Sequence, residues 1–179
     1  EMDGRVYKDR HRLGRSACFG CPLPCSSYYQ VEKGPRGGTF GEATSASTLK
    51  ELGARVGVKD LAYILDCHVV TDRLGLDLIS APATLAFAIE AYERGIITKA
   101  QTGGLALEFG RGDVIMELLH RTARREGLGE DLAQGSRACA ERWGKGADRL
   151  RSDSKGLEPP ATDPRAYPSW ALGYATSSR

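Results

Sequence analysis

Between residues 59 and 143, apolar side chains recur at helical spacing in four runs, and this pattern limits what the chain can become more than any other feature. The first run, Lys59 to Leu74, aligns Leu61, Ile64, Leu65, Val69 and Leu74, with Asp60 placed to cap its start and Gly75 to end it. Ser80, with Pro82 in the first turn, opens a second helix that puts Leu85, Ile89 and Tyr92 on one face and stops at Gly95. Asp113 reads as the cap of a third, which carries Val114 and Leu118 and ends at Gly127. A fourth runs from about Glu130 to Trp143, with Leu132, Ser136 and Cys139 between. The expectation is an all-α fold with long irregular loops. Gly103–Gly110 reads as either a short extended piece or the turn into the third helix. The tail from Ser152 to Pro168 is irregular because its prolines remove backbone donors. The glycine-rich stretch Lys33 to Phe40 reads as a mobile or ligand-lining loop.

Charge excludes one class of partner. The 25 basic and 23 acidic residues are interspersed and leave a formal charge of only +2, so no broad electropositive surface for nucleic acid is expected. No apolar run approaches the roughly 20 residues that span a bilayer, and no signal peptide precedes the cysteines, so no membrane partner and a cytoplasmic location are expected. The chain begins without Met, which reads as a piece of a longer protein.

Cysteines are the first chemical signal. Of five, three form C-x2-C-x3-C in the stretch SACFGCPLPCSSYY: Cys18, Cys21 and Cys25, on a loop stiffened by Pro22 and Pro24. Close spacing in a reducing compartment points to metal or redox chemistry rather than a disulfide framework. Zinc needs a fourth Cys or His, and His11 and His68 lie at no recognised spacing. An iron–sulfur cluster needs a fourth cysteine, commonly distant in sequence. Both readings stay open, and both are one ligand short. Cys67 and Cys139 fall inside helical runs and read as small buried hydrophobes.

The second signal is D-R-L-G-L-D-L-I-S, residues 72 to 80. Asp72 and Asp77 flank a tight turn at Gly75, and carboxylates are acceptor-only groups suited to a ligand edge rich in N–H donors, such as the aminopyrimidine side of a pterin. Alone, the two acids read more simply as a helix-end acid and a cap for the helix at Ser80.

In sequence order, C-x2-C-x3-C is followed by D-R-L-G-L-D-L-I-S, A-I-E-A-Y-E-R-G, E-G-L-G-E-D-L-A-Q-G-S-R-A, K-G-L-E-P-P-A-T-D-P-R and G-Y-A-T-S-S-R. From about Ser16 onward this succession resembles the aldehyde ferredoxin oxidoreductase family. The resemblance implies the middle of a larger enzyme: residues 1–41 as a cluster-binding loop region, 42–150 as a helical domain with a first pterin motif, and 151–179 as the start of a third domain. It implies a 4Fe-4S cluster on Cys18, Cys21 and Cys25, with the fourth cysteine beyond this chain. It also implies a tungsten (or molybdenum) bis-pyranopterin contacted by Asp72, Leu76, Asp77 and Arg179. The implied reaction oxidises a small aldehyde to a carboxylic acid with ferredoxin as electron acceptor. The N- and C-terminal portions of the same protein would be partners, and the isolated chain would be inactive and able to exist without cofactor.

The sequence departs from the family in two places. Many members have P-E-Y-E-T before an L-G pair; here the stretch is F-G-E-A-T-S-A-S-T-L-K-E-L-G, and Glu42 reads equally as an acid near the metal or as a solvated loop acid. Some members carry E-x-x-H before the pterin motif for a metal shared between subunits. Those positions are Asp66 and Val69 here, so that site is read as lost, with His68 one place off. Other residues take structural readings. Glu158 and Asp163 organise a turn, the 121–126 run is a solvated face, and Trp170 packs on Tyr174. Two alternatives remain: an aromatic-acyl-thioester reductase of the same family, or a stand-alone helical metal-binding or electron-transfer module.

Overall fold

A computed structural model describes residues 3–43 and 45–177. The helical runs set most of its architecture. Asp60 caps the helix Leu61–Arg73 (α3), its side chain accepting from the Ala62 and Tyr63 amides at 3.0 and 3.3 Å. The next helix, α4, spans Ser80–Glu93. Before them come α1 (Gly4–Arg10) and α2 (Ser45–Leu49), the latter running into a π-helical turn, Lys50–Ala54. After them come α5 (Gly112–Arg124), α6 (Leu128–Leu132), α7 (Gly135–Trp143) and a tail helix, α8 (Pro168–Thr176).

Three readings need correction. The third helix starts at Gly112, and Asp113 lies in its first turn rather than at its cap. Its carboxylate is drawn back to Arg111 through bonds of 2.9 and 2.6 Å. The fourth run is two helices, α6 and α7, divided where Gly135 takes φ +85°, a conformation that ends one helix and re-aims the next. Finally, the chain is helix-rich but not all-α. Strands β1 (Arg12–Ser16), β2 (Ser26–Gln30) and β3 (Phe40–Ala43) form an antiparallel sheet in that order, with Ser16 opposite Ser26 and Tyr28 opposite Glu42. The stretch around Gly103–Gly110 forms turns and irregular backbone rather than a strand.

Helix α3 unites two cores. Leu61, Leu65 and Val69 pack with Tyr7, Tyr29 and Val31 beneath the sheet. Ile64 and Cys67 instead enter the larger helical core with Leu85, Ile89, Ile115, Leu118 and Trp143. Burying both faces of one helix fixes the sheet's position relative to the α3–α4 turn. Cys67 and Cys139 are buried as read, and burial pushes both thiols up to about 12. The 31–39 loop is not loose: Arg36 reaches Asp66 at 2.8 Å and lies over the Tyr63 ring, and Thr39 bonds the same carboxylate at 3.1 Å. Among the described residues, no helix is long and apolar enough to cross a membrane.

Candidate cofactor site

The turn after α3 is built by its own backbone. The Gly75 and Leu76 amides bond back to the Asp72 and Thr71 carbonyls, each at 3.0 Å, so the chain reverses within a few residues. Asp77 then receives the Ile79 and Ser80 amides on Oδ1 at 2.9 and 2.6 Å. It therefore caps α4 with one oxygen and keeps the other free. Asp72, on the last turn of α3, is exposed.

Glu42 arrives from the sheet. It stands on β3 opposite Tyr28, and Ser16 Oγ donates to its Oε1 at 2.5 Å from the end of β1. Glu42, Asp72 and Asp77 line one cleft of about 540 Å³ with Ser26, Ser47 and His68. Three of the acids that the sequence singled out thus converge from β3, α3 and the turn before α4. Leu76 does not join them: it is half-buried, packs against the helical core and lines a separate hollow with Thr84 and Thr122. Arg179 lies outside the described residues.

The three-cysteine loop connects β1 to β2, and its stems are the cleft wall. Ser16, which holds Glu42, lies two residues before Cys18, and Ser26, which lines the cleft, directly follows Cys25. Within the loop, the Cys21 amide bonds the Cys18 carbonyl at 3.0 Å and the Cys25 amide bonds the Leu23 carbonyl at 2.9 Å. All three thiols are exposed. The donors fit a cluster in kind and spacing, but among the described residues no three Cys, His, Asp or Glu side chains gather around one point. A cluster would need the loop to close on it and a fourth thiolate from elsewhere. Neither histidine considered for zinc completes the set, for His11 is tied to the Gln30 carbonyl at 3.1 Å and His68 is buried in α3. Asp66 is likewise engaged, by Arg36 and Thr39.

Two residues of the site went unread in the sequence as a pair. His68 Nδ1 lies 2.9 Å from Tyr29 Oη and 3.5 Å from Asp72 Oδ2, and Tyr29 Oη also donates to the Leu65 carbonyl at 3.1 Å. Burial raises the Tyr29 phenol, with the Asp72 charge adding to it, and burial lowers His68 against the opposing pull of Asp72. The i, i+4 spacing of His68 and Asp72 was visible, but nothing in the sequence marks Tyr29. A Cβ on Gly41 would lie 2.6 Å from Tyr29 Oη, so β3 can cross this point only as glycine.

Comparison with known proteins identifies the family of the chain. It belongs to the aldehyde ferredoxin oxidoreductase family, whose model for domains 2 and 3 matches residues 1–179. It is 37% identical over 183 residues to a tungsten-containing aldehyde ferredoxin oxidoreductase of Pyrococcus abyssi, covering 100% of this chain and 29% of that protein. An aliphatic sulfonate oxidoreductase WOR-like subunit of Pyrococcus furiosus is 33% identical over 124 residues, 69% of this chain and 20% of its own length. Among solved structures, the BamBC active-site complex of benzoyl coenzyme A reductase with 1,5-dienoyl-CoA superposes with a TM-score of 0.77 at 27% identity, over 97% of this chain and 26% of that chain. The chain thus spans under a third of the length of these relatives, 29% in the case of the Pyrococcus abyssi protein.

Proposed function

We propose that this chain is the cofactor-holding middle of a tungsten-dependent enzyme that oxidises an aldehyde to a carboxylic acid and passes the electrons to ferredoxin. One arrangement carries the reading: a hairpin tipped with Cys18, Cys21 and Cys25 is rooted in the wall of a cleft lined by Glu42, Asp72 and Asp77. Asp72 and Asp77 hold the N–H-rich edge of a pterin, for which acceptor-only carboxylates are the complementary partners. Glu42, oriented by Ser16, is the group on the facing wall able to hold or release a proton. The cysteines supply three thiolates to a 4Fe-4S cluster, and the fourth comes from another part of the protein. When bound, a tungsten (or molybdenum) bis-pyranopterin supplies two-electron carbonyl chemistry, and the cluster supplies single-electron transfer. Leu76 and Arg179, and the division at residues 41 and 150, belong to the same proposal.

The test is metal and pterin analysis of the protein as its gene encodes it, prepared without oxygen. Tungsten, pterin and about four irons per chain are expected. Cys18→Ser is expected to lower the iron content, and Asp72→Asn with Asp77→Asn the pterin content, with secondary structure retained. One zinc with neither iron nor pterin would shift the assignment to a stand-alone metal-binding module. The 179-residue chain alone is expected to be inactive, and turnover of an aldehyde with a viologen dye would contradict that. The likeness to benzoyl coenzyme A reductase favours a second reading, reduction of an aromatic acyl thioester. Parallel assays of an aldehyde and an aromatic acyl thioester separate the two.

A further inference from the structure

His68 is the buried member of the cleft. Its neighbours Glu42, Asp72 and Asp77 are open to solvent, whereas His68 is 3% exposed. One edge of its ring is already committed, because Nδ1 faces both Tyr29 Oη and Asp72 Oδ2. Nε2, on the other edge, has no partner among the described residues, although His68 lines the cleft. Without a partner and not sealed away from solvent, Nε2 is open to a ligand that enters the cleft.

The surrounding hydrogen bonds determine which nitrogen carries the proton. Tyr29 has a single hydroxyl proton and lies 3.1 Å from the Leu65 carbonyl, which can only accept. Giving that proton to His68 instead would leave two oxygens facing each other in a buried site, and would also turn a bare Nδ1 toward the Asp72 carboxylate. Both conflicts vanish if Tyr29 donates to Leu65 and Nδ1–H donates to Tyr29 while facing the Asp72 carboxylate. In the neutral ring, which burial favours, Nε2 is then an acceptor.

Apart from the Ser26 and Ser47 hydroxyls, which can donate or accept, the free side-chain valences of the cleft are acceptors. Asp77 has one oxygen left after capping α4, Glu42 has one left after Ser16, Asp72 keeps at least one, and His68 offers Nε2. A single cation is not the complement, because no three metal-binding side chains among the described residues gather around one point. The complement is a larger planar group that spreads several N–H or O–H donors along one edge.

We propose that His68 is a ligand-contacting residue of this cleft, accepting through Nε2 from the aminopyrimidine edge that Asp72 and Asp77 hold, with Tyr29 and Asp72 fixing its tautomer. The ligand named here rests on the pterin reading above; the tautomer does not.

Two measurements test this on the protein as its gene encodes it, freed of cofactor. In nitrogen-15 spectra of histidine-labelled protein, the resonances lost in His68→Gln identify His68. They are expected to show His68 protonated on Nδ1, and addition of free pterin is expected to move the Nε2 resonance while leaving Nδ1 in place. Pterin affinity, followed by its fluorescence, is expected to fall about tenfold in His68→Leu, the loss of one hydrogen bond. It is expected to stay within about threefold in His68→Gln, whose side-chain oxygen keeps an acceptor at similar reach. A proton on Nε2 would overturn the tautomer. Pterin binding that is sensitive to Asp77→Asn but unchanged in His68→Leu would overturn the His68 contact and leave the pterin reading standing. No pterin binding by the unmodified protein would sink the pterin reading and the ligand assigned to His68 with it.

Discussion

Glu158 sits in the proline-rich segment, 6% exposed, and the structure decides between its possible roles. Its Oε1 accepts from the Ser136 amide at 2.8 Å, the Ser136 hydroxyl at 2.6 Å and the Thr84 hydroxyl at 3.3 Å. One carboxylate thus ties the segment to the start of α7 and to the middle of α4. Glu158→Ala leaves all three donors without that acceptor. The Ser136 amide cannot turn away, the Ser136 hydroxyl can rotate, and the Thr84 bond is long. One full charge-assisted bond plus partial losses gives a destabilisation of about 3–5 kcal/mol, a large share of a typical domain's stability. Glu158→Gln keeps an oxygen at the same reach and loses only the charge facing the helix N-terminus, about 1–2 kcal/mol. Urea unfolding with unchanged m-values is the assay. The pH dependence supplies an independent sign. Burial pushes the Glu158 carboxyl up, but hydrogen bonds from the Ser136 hydroxyl and amide, its own backbone amide and the Ser80 hydroxyl together outweigh it and hold it below the ordinary glutamate range. Its stabilisation is therefore complete above that range and lost as pH falls through the depressed folded value. Glu51 runs oppositely: burial raises its carboxyl despite the Ala161 amide and Arg55, so its protonation favours the fold as pH drops. Subtracting the Glu158→Gln profile from that of the unmodified protein isolates Glu158. A cost for Glu158→Ala below about 1 kcal/mol, or a flat difference profile down to about pH 3, would refute the reasoning.

Gly41→Ala is expected to cost about 1–3 kcal/mol, because its Cβ would meet Tyr29 Oη at 2.6 Å and Val69 Cγ2 at 2.9 Å; unchanged urea unfolding would show that β3 has room there. Asp77→Ala is expected to destabilise by about 0.5–2 kcal/mol through the lost cap on α4, while Asp77→Asn retains a capping oxygen. Thermal melts of the pair therefore separate capping from ligand holding. In metal-free native protein, iodoacetamide at mildly alkaline pH is expected to modify Cys18, Cys21 and Cys25 and to spare Cys67 and Cys139, whose thiols burial holds up at about 12. Peptide mass spectrometry reads the pattern, and early labelling of Cys67 would contradict the packing of α3.

Local signals carried the sequence reading where they were strong. Asp60, Gly75 and the apolar spacing of residues 61–74 define α3 because capping and burial of one face are decided within a few turns. The same holds for α4, and the motif ending at Asp77 announced both a turn and a pair of acids. The sheet gave no such signal. RLGRS, SSYYQ and FGEA contain no β-branched residue, and β1 pairs with β2 across the cysteine loop, so contacts distant in sequence make these strands. The helix run from Glu130 to Trp143 was read as continuous because its apolar spacing survives the break, which only the backbone at Gly135 reveals.

The same division holds at the site. Residue type and spacing determined which groups could do chemistry: three thiols on one stiff loop, and two acids around one turn. Tertiary structure decided that Glu42 joins Asp72 and Asp77, that Leu76 turns to the core, that Glu158 is a structural tie, and that Tyr29 fixes His68. Each of these depends on chain segments brought together by burial, and burial is a property of the packed whole that local spacing does not encode.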